Sequence, residues 1–327
     1  KLGRDFTLEG LKNEGYDALF MGVGAAACVG LEVPGAEGAG IAEAGEFLRQ
    51  YNVRGSVPVG KEVIVVGGGN AAVDAARTAL RLGSKVTILY RRTREQMPAY
   101  AEEIEEALHE GVELLTLTQP EEVLRDDKGN ITSVRCRPLS LGDFDRSGRR
   151  RPRPGEGALF DLSADQVIVA IGQRLDLGAV GGNGQSAGDM QAEELERNDA
   201  GFIYADPVTG QTSVPWIYAG GDAVSGPSSV VEAIAAGERA AYGIDLMLTG
   251  EDHAFWRDEI VVDTAFDPDA DPVPYPRELM PTVPVERRRH NFDEVELSWC
   301  EAVALRQARR CLRCDYGKCG AREVHHA

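Results

Sequence analysis

One stretch, VIVVGGGNAAVDAARTALRLGSKVTILYRR over residues 63–92, restricts the fold of this chain more than any other. Residues 62–66 are rich in β-branched side chains, residues 71–82 are mostly helix formers, and Gly83 stands where such a helix would stop. Residues 86–89 read as a second strand. Between the first strand and the helix, Gly67, Gly69 and Ala72 fit GxGxxA. In that pattern the first glycine permits a tight turn and the second lets the backbone approach a pyrophosphate. The small third residue, here with Ala76 behind it, lets the helix lie close to the strand. The helix opens at Asn70 and Ala71, with its unpaired amides aimed at a phosphate. Strand, turn, helix and strand at this spacing predict an α/β sheet that holds a dinucleotide. A site for NAD usually carries an acid just after the second strand to hold the ribose 2′-hydroxyl, but this chain has Tyr90, Arg91 and Arg92. A guanidinium forks onto a 2′-phosphate, so NADP(H) is favoured over NAD(H). The plainer alternative is that both arginines solvate the strand end.

At 327 residues and 43% hydrophobic content the chain is long enough for two domains with sizeable cores. Its net charge of −18, from 35 basic and 53 acidic residues, argues against a general nucleic-acid or anionic-membrane surface. No apolar run approaches the roughly 18 residues of a spanning helix, and KLGRDFTLEG at the start has no apolar signal-peptide core. A cytoplasmic protein is expected. Cys28 and Cys136 stand alone, whereas Cys300, Cys311, Cys314 and Cys319 crowd the end of the chain, a pattern of a local site rather than a disulfide framework.

A second GxGxxA occurs at Gly22, Gly24 and Ala27, but only residues 25–31 separate it from EVPG, too few for a crossover helix. It reads as a strand ending in a glycine turn. Residues 165–177, DQVIVAIGQRLDL with Gly172 in the turn, have the same shape. Two such turns flanking the nucleotide unit imply one nucleotide domain inserted into another. Further on, VPWIYAGGDAVSGPSSVVEAI places a strand before Gly220, Gly221 and Asp222 and a helix opening near Ser228. The amides of Ser229, Val230 and Val231 would face negative charge there.

Taken together, GYDALFMGVGA, VIVVGGGNAAVDAAR, YRRTREQMPAYAEEIEEA, SGRRRPRP, VIVAIGQ and IYAGGDAVSGPSSVVEAI resemble the glutamate synthase small-subunit-like NAD(P)H oxidoreductases over about residues 1–250. The resemblance implies an α/β flavoprotein with two dinucleotide-binding domains. It also implies FAD contacts at Gly221, Asp222 and Ser229 to Val231, with Asp222 bonding the ribityl chain and the helix N-terminus facing the flavin, while the glycine turns at Gly24 and Gly172 are further candidates for cofactor binding. The family begins with a cysteine-rich iron–sulfur segment and a GxGxxG for the ADP half of FAD, and neither occurs here. The chain also begins at Lys1, and it reads as a fragment, a processed form, or one partner of a split protein. Residues 1–57 are then expected to be the later part of the FAD domain, 58–178 the NAD(P)H domain, 179–199 a polar linker and 200–250 the return of the FAD domain. Residues 251–327 are expected to form an extended arm with a cysteine-bearing helix and tail. Within the NAD(P)H domain, two β-rich runs about DDKGN predict a hairpin or meander. The five arginines between Arg146 and Arg153 read first as a solvated loop, with a nucleotide or partner contact as the alternative.

A helix over residues 299–311 would set Cys300 about 16 Å from Cys311 at 1.5 Å per residue, so these two cannot share a metal. Cys311, Cys314 and Cys319 offer three thiolates to a 4Fe–4S cluster completed from elsewhere; a plain reduced tail is the alternative. The resemblance implies hydride transfer from NADPH or NADH to FAD, then electron passage through iron–sulfur centres to other subunits of a redox complex. The competing readings are a disulfide reductase, which needs a redox CxxC beside the flavin, and a non-catalytic scaffold subunit that docks partners. Hydride transfer requires no side-chain acid or base, so no catalytic residue is expected by name.

Overall fold

The computed structural model describes residues 5–144, 148–177, 195–254 and 276–309. It falls into two compact units, Lys1–His253 and Ala254–Ala327. The first is built on a five-stranded parallel sheet in the order β3 (Ile41–Glu43), β11 (Gln166–Val169), β4 (Glu62–Val66), β5 (Lys85–Tyr90) and β6 (Glu113–Thr116). Strand β4 lies in the middle and is buried on both faces, which is why it reads as an unbroken apolar run rather than an alternating one. Its alternation decides what each residue meets. Val63 and Val65 pack under α2 (Ala44–Arg54), α3 (Asn70–Arg81) and α4 (Ala101–Glu110). Ile64 and Val66 turn the other way, into a core with Val123, Ile131, Val134 and Cys136. Helix α3 presents Ala72, Ala75, Ala76 and Ala79 to the sheet, each with no solvent exposure. So narrow a face lets the helix axis sit close, and a larger side chain there would overpack by about 1–3 kcal/mol.

The second core face is covered by antiparallel strands β7 (Thr118–Arg125), β8 (Ile131–Phe144), β9 (Arg150–Pro154) and β10 (Phe160–Ser163). The predicted hairpin about DDKGN is β7–β8, closed by Asp126, whose carboxylate accepts from the amides of Lys128 and Asn130. Its first run divides at Leu117, the non-glycine residue with positive φ (49°) among those described. Before it, β6 joins the parallel sheet; after it, the chain turns into the antiparallel one. Part of the arginine-rich loop is also not a loop: residues 150–154 pair with β8 as an edge strand, where Pro152 and Pro154 are tolerated because the outer edge needs no donors.

Packing also moves an expected boundary. Residues 41–54 were expected within the flavin segment 1–57, yet β3 pairs with β11 and α2 buries Ala44 and Phe47 in the core of the parallel sheet. β1 (Leu19–Met21) pairs in parallel with β13 (Ile217–Ala219), some two hundred residues on, and shares a core with α1 (Leu8–Asn13), Leu175, Leu177, Ile203 and Trp216. The glycine turn after Gly24 leads into β2 (Ala27–Cys28), not a helix. β2 pairs antiparallel with β12 (Gln173–Arg174), so the two flanking turns do meet, with the Val29 amide donating to Gly172 O at 3.0 Å. Most of the expected linker lies outside the described residues, but its end does not trail: Leu195 is buried and Arg197 bridges Ile203. After β13 come α5 (Asp222–Ser225) and α6 (Val230–Thr249).

The expected arm is described at residues 251–254 and from 276, and is not extended throughout. Thr282 bridges Glu296 around α7 (Val285–Arg288). Helix α8 (Glu301–Ala308) is shorter than the predicted 299–311: Cys300 is its extended N-cap, and the Trp299 indole donates to Leu279 O at 3.2 Å. Among the described residues no helix is long and apolar enough to cross a membrane.

Candidate functional site: a nucleotide cavity and a separate helix terminus

Where β4 and β11 end, a cavity of about 580 Å³ opens, lined by Gly67, Gly69, Arg91, Arg92 and Gly172, by Gln119 of β7 and by Arg149 in the bend before β9. Gly67 is there for the chain itself. Its φ is 146°, and a Cβ on it would stand 2.3 Å from Ala170 O on the neighbouring strand turn. Gly69 is different: a Cβ would find nothing nearer than the Pro98 ring at 3.9 Å and would project into the cavity. A backbone left bare on that side is what a close-approaching pyrophosphate needs. The Ala72 amide donates to Gly69 O at 3.0 Å as the helix begins, leaving the amides of Asn70 and Ala71 at its open end. Asn70 has a second task, accepting from the Tyr100 amide at 3.0 Å through its side chain. With Tyr90 Oη donating to Gln96 O at 2.7 Å, this ties the loop after β5 back across the glycine turn.

The two arginines after β5 divide. Arg91 is exposed at the cavity, whereas Arg92 is 5% exposed and its Nε donates to Arg150 O at 2.9 Å. Arg92 therefore lines the cavity as a mostly buried side chain whose Nε is engaged, unlike exposed Arg91 and unlike a freely solvated strand end. The sheet turns one side chain out and its neighbour in, and Arg92 joins β5 to β9.

Under the nucleotide helix lies a cluster that the sequence did not announce. Glu110, fully buried at the end of α4, accepts from Arg77 and Arg81 of α3 at 2.7 Å each, and Arg77 also meets Glu103. Burial works to raise the Glu110 carboxyl, but the hydrogen bonds from Arg77 and Arg81 outweigh it and hold it below the ordinary carboxylate range. Burial raises Asp74 beside it, reinforced by Glu103. The arginine spacing of four on α3 was visible; the acid that answers it lies 29 residues on from Arg81 in another helix.

Gly24, Gly221, Asp222, Ser229, Val230 and Val231 do not line the cavity. Gly221, at φ 63° and ψ −152°, occupies a conformation that only glycine adopts readily, and it turns the chain out of β13 into Asp222. The Asp222 carboxylate accepts from the Ser228 amide at 3.2 Å. Ser229 caps α6 in a reciprocal pair with Glu232, so its amide is already taken at 3.0 Å; of the three expected amides, those of Val230 and Val231 remain in the first turn. Val230 and Val231 are 75% and 74% exposed and Ile234 60%, an apolar surface at a helix N-terminus.

Among the described cysteines Cys28, Cys136 and Cys300 are free thiols, with Cys136 pushed up to about 12 by burial. Among the described residues no group of acids, His and Cys could hold a metal, and Cys311, Cys314 and Cys319 lie outside them.

A parallel sheet with a glycine turn at a helix N-terminus, interrupting a second α/β element whose strands β1 and β13 pair across it, defines a two-dinucleotide-fold α/β flavoprotein. The family model for pyridine nucleotide-disulphide oxidoreductases matches residues 3–237, and the chain belongs to that family. It is 40% identical to the beta subunit of the NADP(+)-dependent formate dehydrogenase of Moorella thermoacetica, over 96% of this chain and 44% of that protein. To the small chain of NADPH glutamate synthase of Escherichia coli K12 it is 36% identical, over 75% of this chain and 53% of the other, which bears out the resemblance drawn from the motifs. The chain thus spans about half the length of these curated relatives. Mycobacterium tuberculosis FprA, solved with NADPH, shares the fold at a TM-score of 0.58 and 20% identity, covering 76% of this chain and 67% of FprA.

Proposed function

We propose that this chain is the NAD(P)H-facing half of an FAD-dependent oxidoreductase subunit that delivers electrons to partner subunits of a redox complex. The observation that carries it is the cavity at the end of β4, where bare backbone at Gly69, the α3 N-terminus and exposed Arg91 converge. Gly67, Gly69, Asn70, Ala71 and Ala72 hold the pyrophosphate, and Arg91 favours NADP(H) over NAD(H) by offering its fork to a 2′-phosphate. Asp222 and the amides of Val230 and Val231 hold FAD, which, when bound, supplies hydride acceptance and release of single electrons. The relatives named as NADP(+)- and NADPH-dependent subunits support this assignment. Iron–sulfur ligation by Cys311, Cys314 and Cys319, a cytoplasmic location and the division at residues 57, 178, 199 and 250, with 41–54 transferred to the nucleotide domain, complete the reading. The three isolated free thiols accord with it and disfavour a disulfide reductase built on them.

Arg91→Glu in the full-length protein should raise the KM for NADPH by tenfold or more, about 1.4 kcal/mol or above, while the KM for NADH changes little. Equal effects on both would sink the NADP(H) assignment. Arg92 is left intact because its loss would also unpin β9. For the flavin site, Asp222→Ala should weaken FAD retention by roughly tenfold, the size of a lost charge-assisted hydrogen bond, with NADPH binding unaltered. Stoichiometric flavin in that variant after dialysis would place the ribityl contact elsewhere.

A further inference from the structure

We propose that Arg149, where the β8–β9 hairpin enters its second strand, is a second cation for the 2′-phosphate, closing from the antiparallel sheet onto a nucleotide held by the parallel one. The proposal rests on the NADP(H) reading above. Arg91 and Arg149 line the same cavity although 58 residues and a different sheet separate them. The glycine turn and helix N-terminus occupy the pyrophosphate end, and the end of β5 is where the adenosine ribose lies in this type of sheet. A phosphate monoester carries about −1.5 to −2 charges at pH 7. One guanidinium leaves it partly uncompensated; two match it.

The hairpin is held in place for this. Buried Arg92 donates to Arg150 O at 2.9 Å, one residue from Arg149. The Leu117 amide donates to Arg92 O at 3.0 Å, and Leu117 O accepts from the Leu139 amide on β8 at 2.7 Å. Arg92 is thus bonded to β9 through its side chain and to Leu117 through its carbonyl, and Leu117 is bonded in turn to β8. The neighbouring arginines point away from the cavity: Arg150 lies 5.7 Å over the Phe144 ring and Arg153 pairs with Asp143. Among the hairpin arginines described, Arg149 is the one that lines the cavity.

Titration calorimetry of the full-length protein with 2′,5′-ADP and with 5′-AMP tests this without turnover. Wild type should prefer 2′,5′-ADP. Arg149→Ala should weaken 2′,5′-ADP by about tenfold, as for one charge-assisted hydrogen bond, and leave 5′-AMP within twofold. Arg149→Lys should recover part of the loss, and Arg153→Ala should change neither. Full 2′,5′-ADP affinity in Arg149→Ala, or an equal loss for both ligands, overturns the proposal. If Arg91→Glu abolishes the preference while Arg149→Ala keeps it, the NADP(H) reading stands and this proposal alone falls. A wild type that takes both ligands alike removes the two together.

Discussion

Glu110→Ala is expected to destabilise the protein by about 3 kcal/mol, because it removes the buried carboxylate that Arg77 and Arg81 share and leaves Arg77 only the more exposed Glu103 and Glu106. Against a typical total stability of about 5–15 kcal/mol, such a loss approaches unfolding. The damage should spread to the nucleotide site, since both arginines belong to α3, whose other end carries Asn70 and Ala71. The charge on Glu110 makes the effect depend on pH. Its folded carboxyl is held below the ordinary range, so folding favours the ionised form. That share of the stability is complete above the unfolded value of about 4.3 and is lost as pH falls through the lower folded value. Urea unfolding of wild type and Glu110→Gln at pH 7 and near pH 3 reads this directly. The gap between them should be wide at pH 7 and narrow in acid. A gap that stays constant across that range would mean that the cluster acts by packing alone.

Gly67→Ala and Gly69→Ala should part company, though both remove a glycine from one motif. At Gly67 the new methyl meets Ala170 O at 2.3 Å and its carbon at 2.8 Å, and backbone of a central sheet cannot step aside. Positive φ adds strain of about 1–2 kcal/mol, and overpacking about 1–3 kcal/mol more, so a loss of several kcal/mol in stability is expected. At Gly69, with φ −89° and open space ahead, stability should stay within about 0.5 kcal/mol, the range of a harmless surface change. The methyl instead occupies the approach of the pyrophosphate, and NADPH affinity should fall by more than tenfold. Thermal unfolding with and without NADPH separates the two: Gly67→Ala melts early in both conditions, while Gly69→Ala melts normally and gains little from the ligand. If Gly69→Ala is stabilised by NADPH as wild type is, the pyrophosphate does not lie over that turn.

The local elements were legible because their causes are local. The apolar run of β4, the helix formers of α3 and the stop at Gly83 lie within some twenty consecutive residues, and the observed bounds differ from the expected ones by a single residue. The second GxGxxA was dismissed on chain length alone, and a strand, β2, stands there. Two elements differ from expectation, one through a contact between separated residues and one through a local capping box. Helix 299–311 shortened to residues 301–308, with Trp299 donating to Leu279 O instead of extending the helix. Ser229 was assigned an open amide, but Glu232 takes it.

Spacing, capping residues and small side chains specify the dinucleotide turn and the Gly-Asp turn before a capped helix, because each lies within a few turns of chain. The tertiary structure alone decided which sheet would claim them. Ile41–Glu43 is drawn to the nucleotide sheet by β11, more than a hundred residues later. Arg91 and Arg92 are identical as letters, yet the pleat leaves one exposed at the cavity and buries the other against Arg150 O. Arg149 became a cavity residue only when β9 paired with β8, and Glu110 became the anchor of α3 only when α4 packed beside it. Burial, pairing and charge compensation between distant segments are properties of contacts, and contacts are absent from any local pattern of residues.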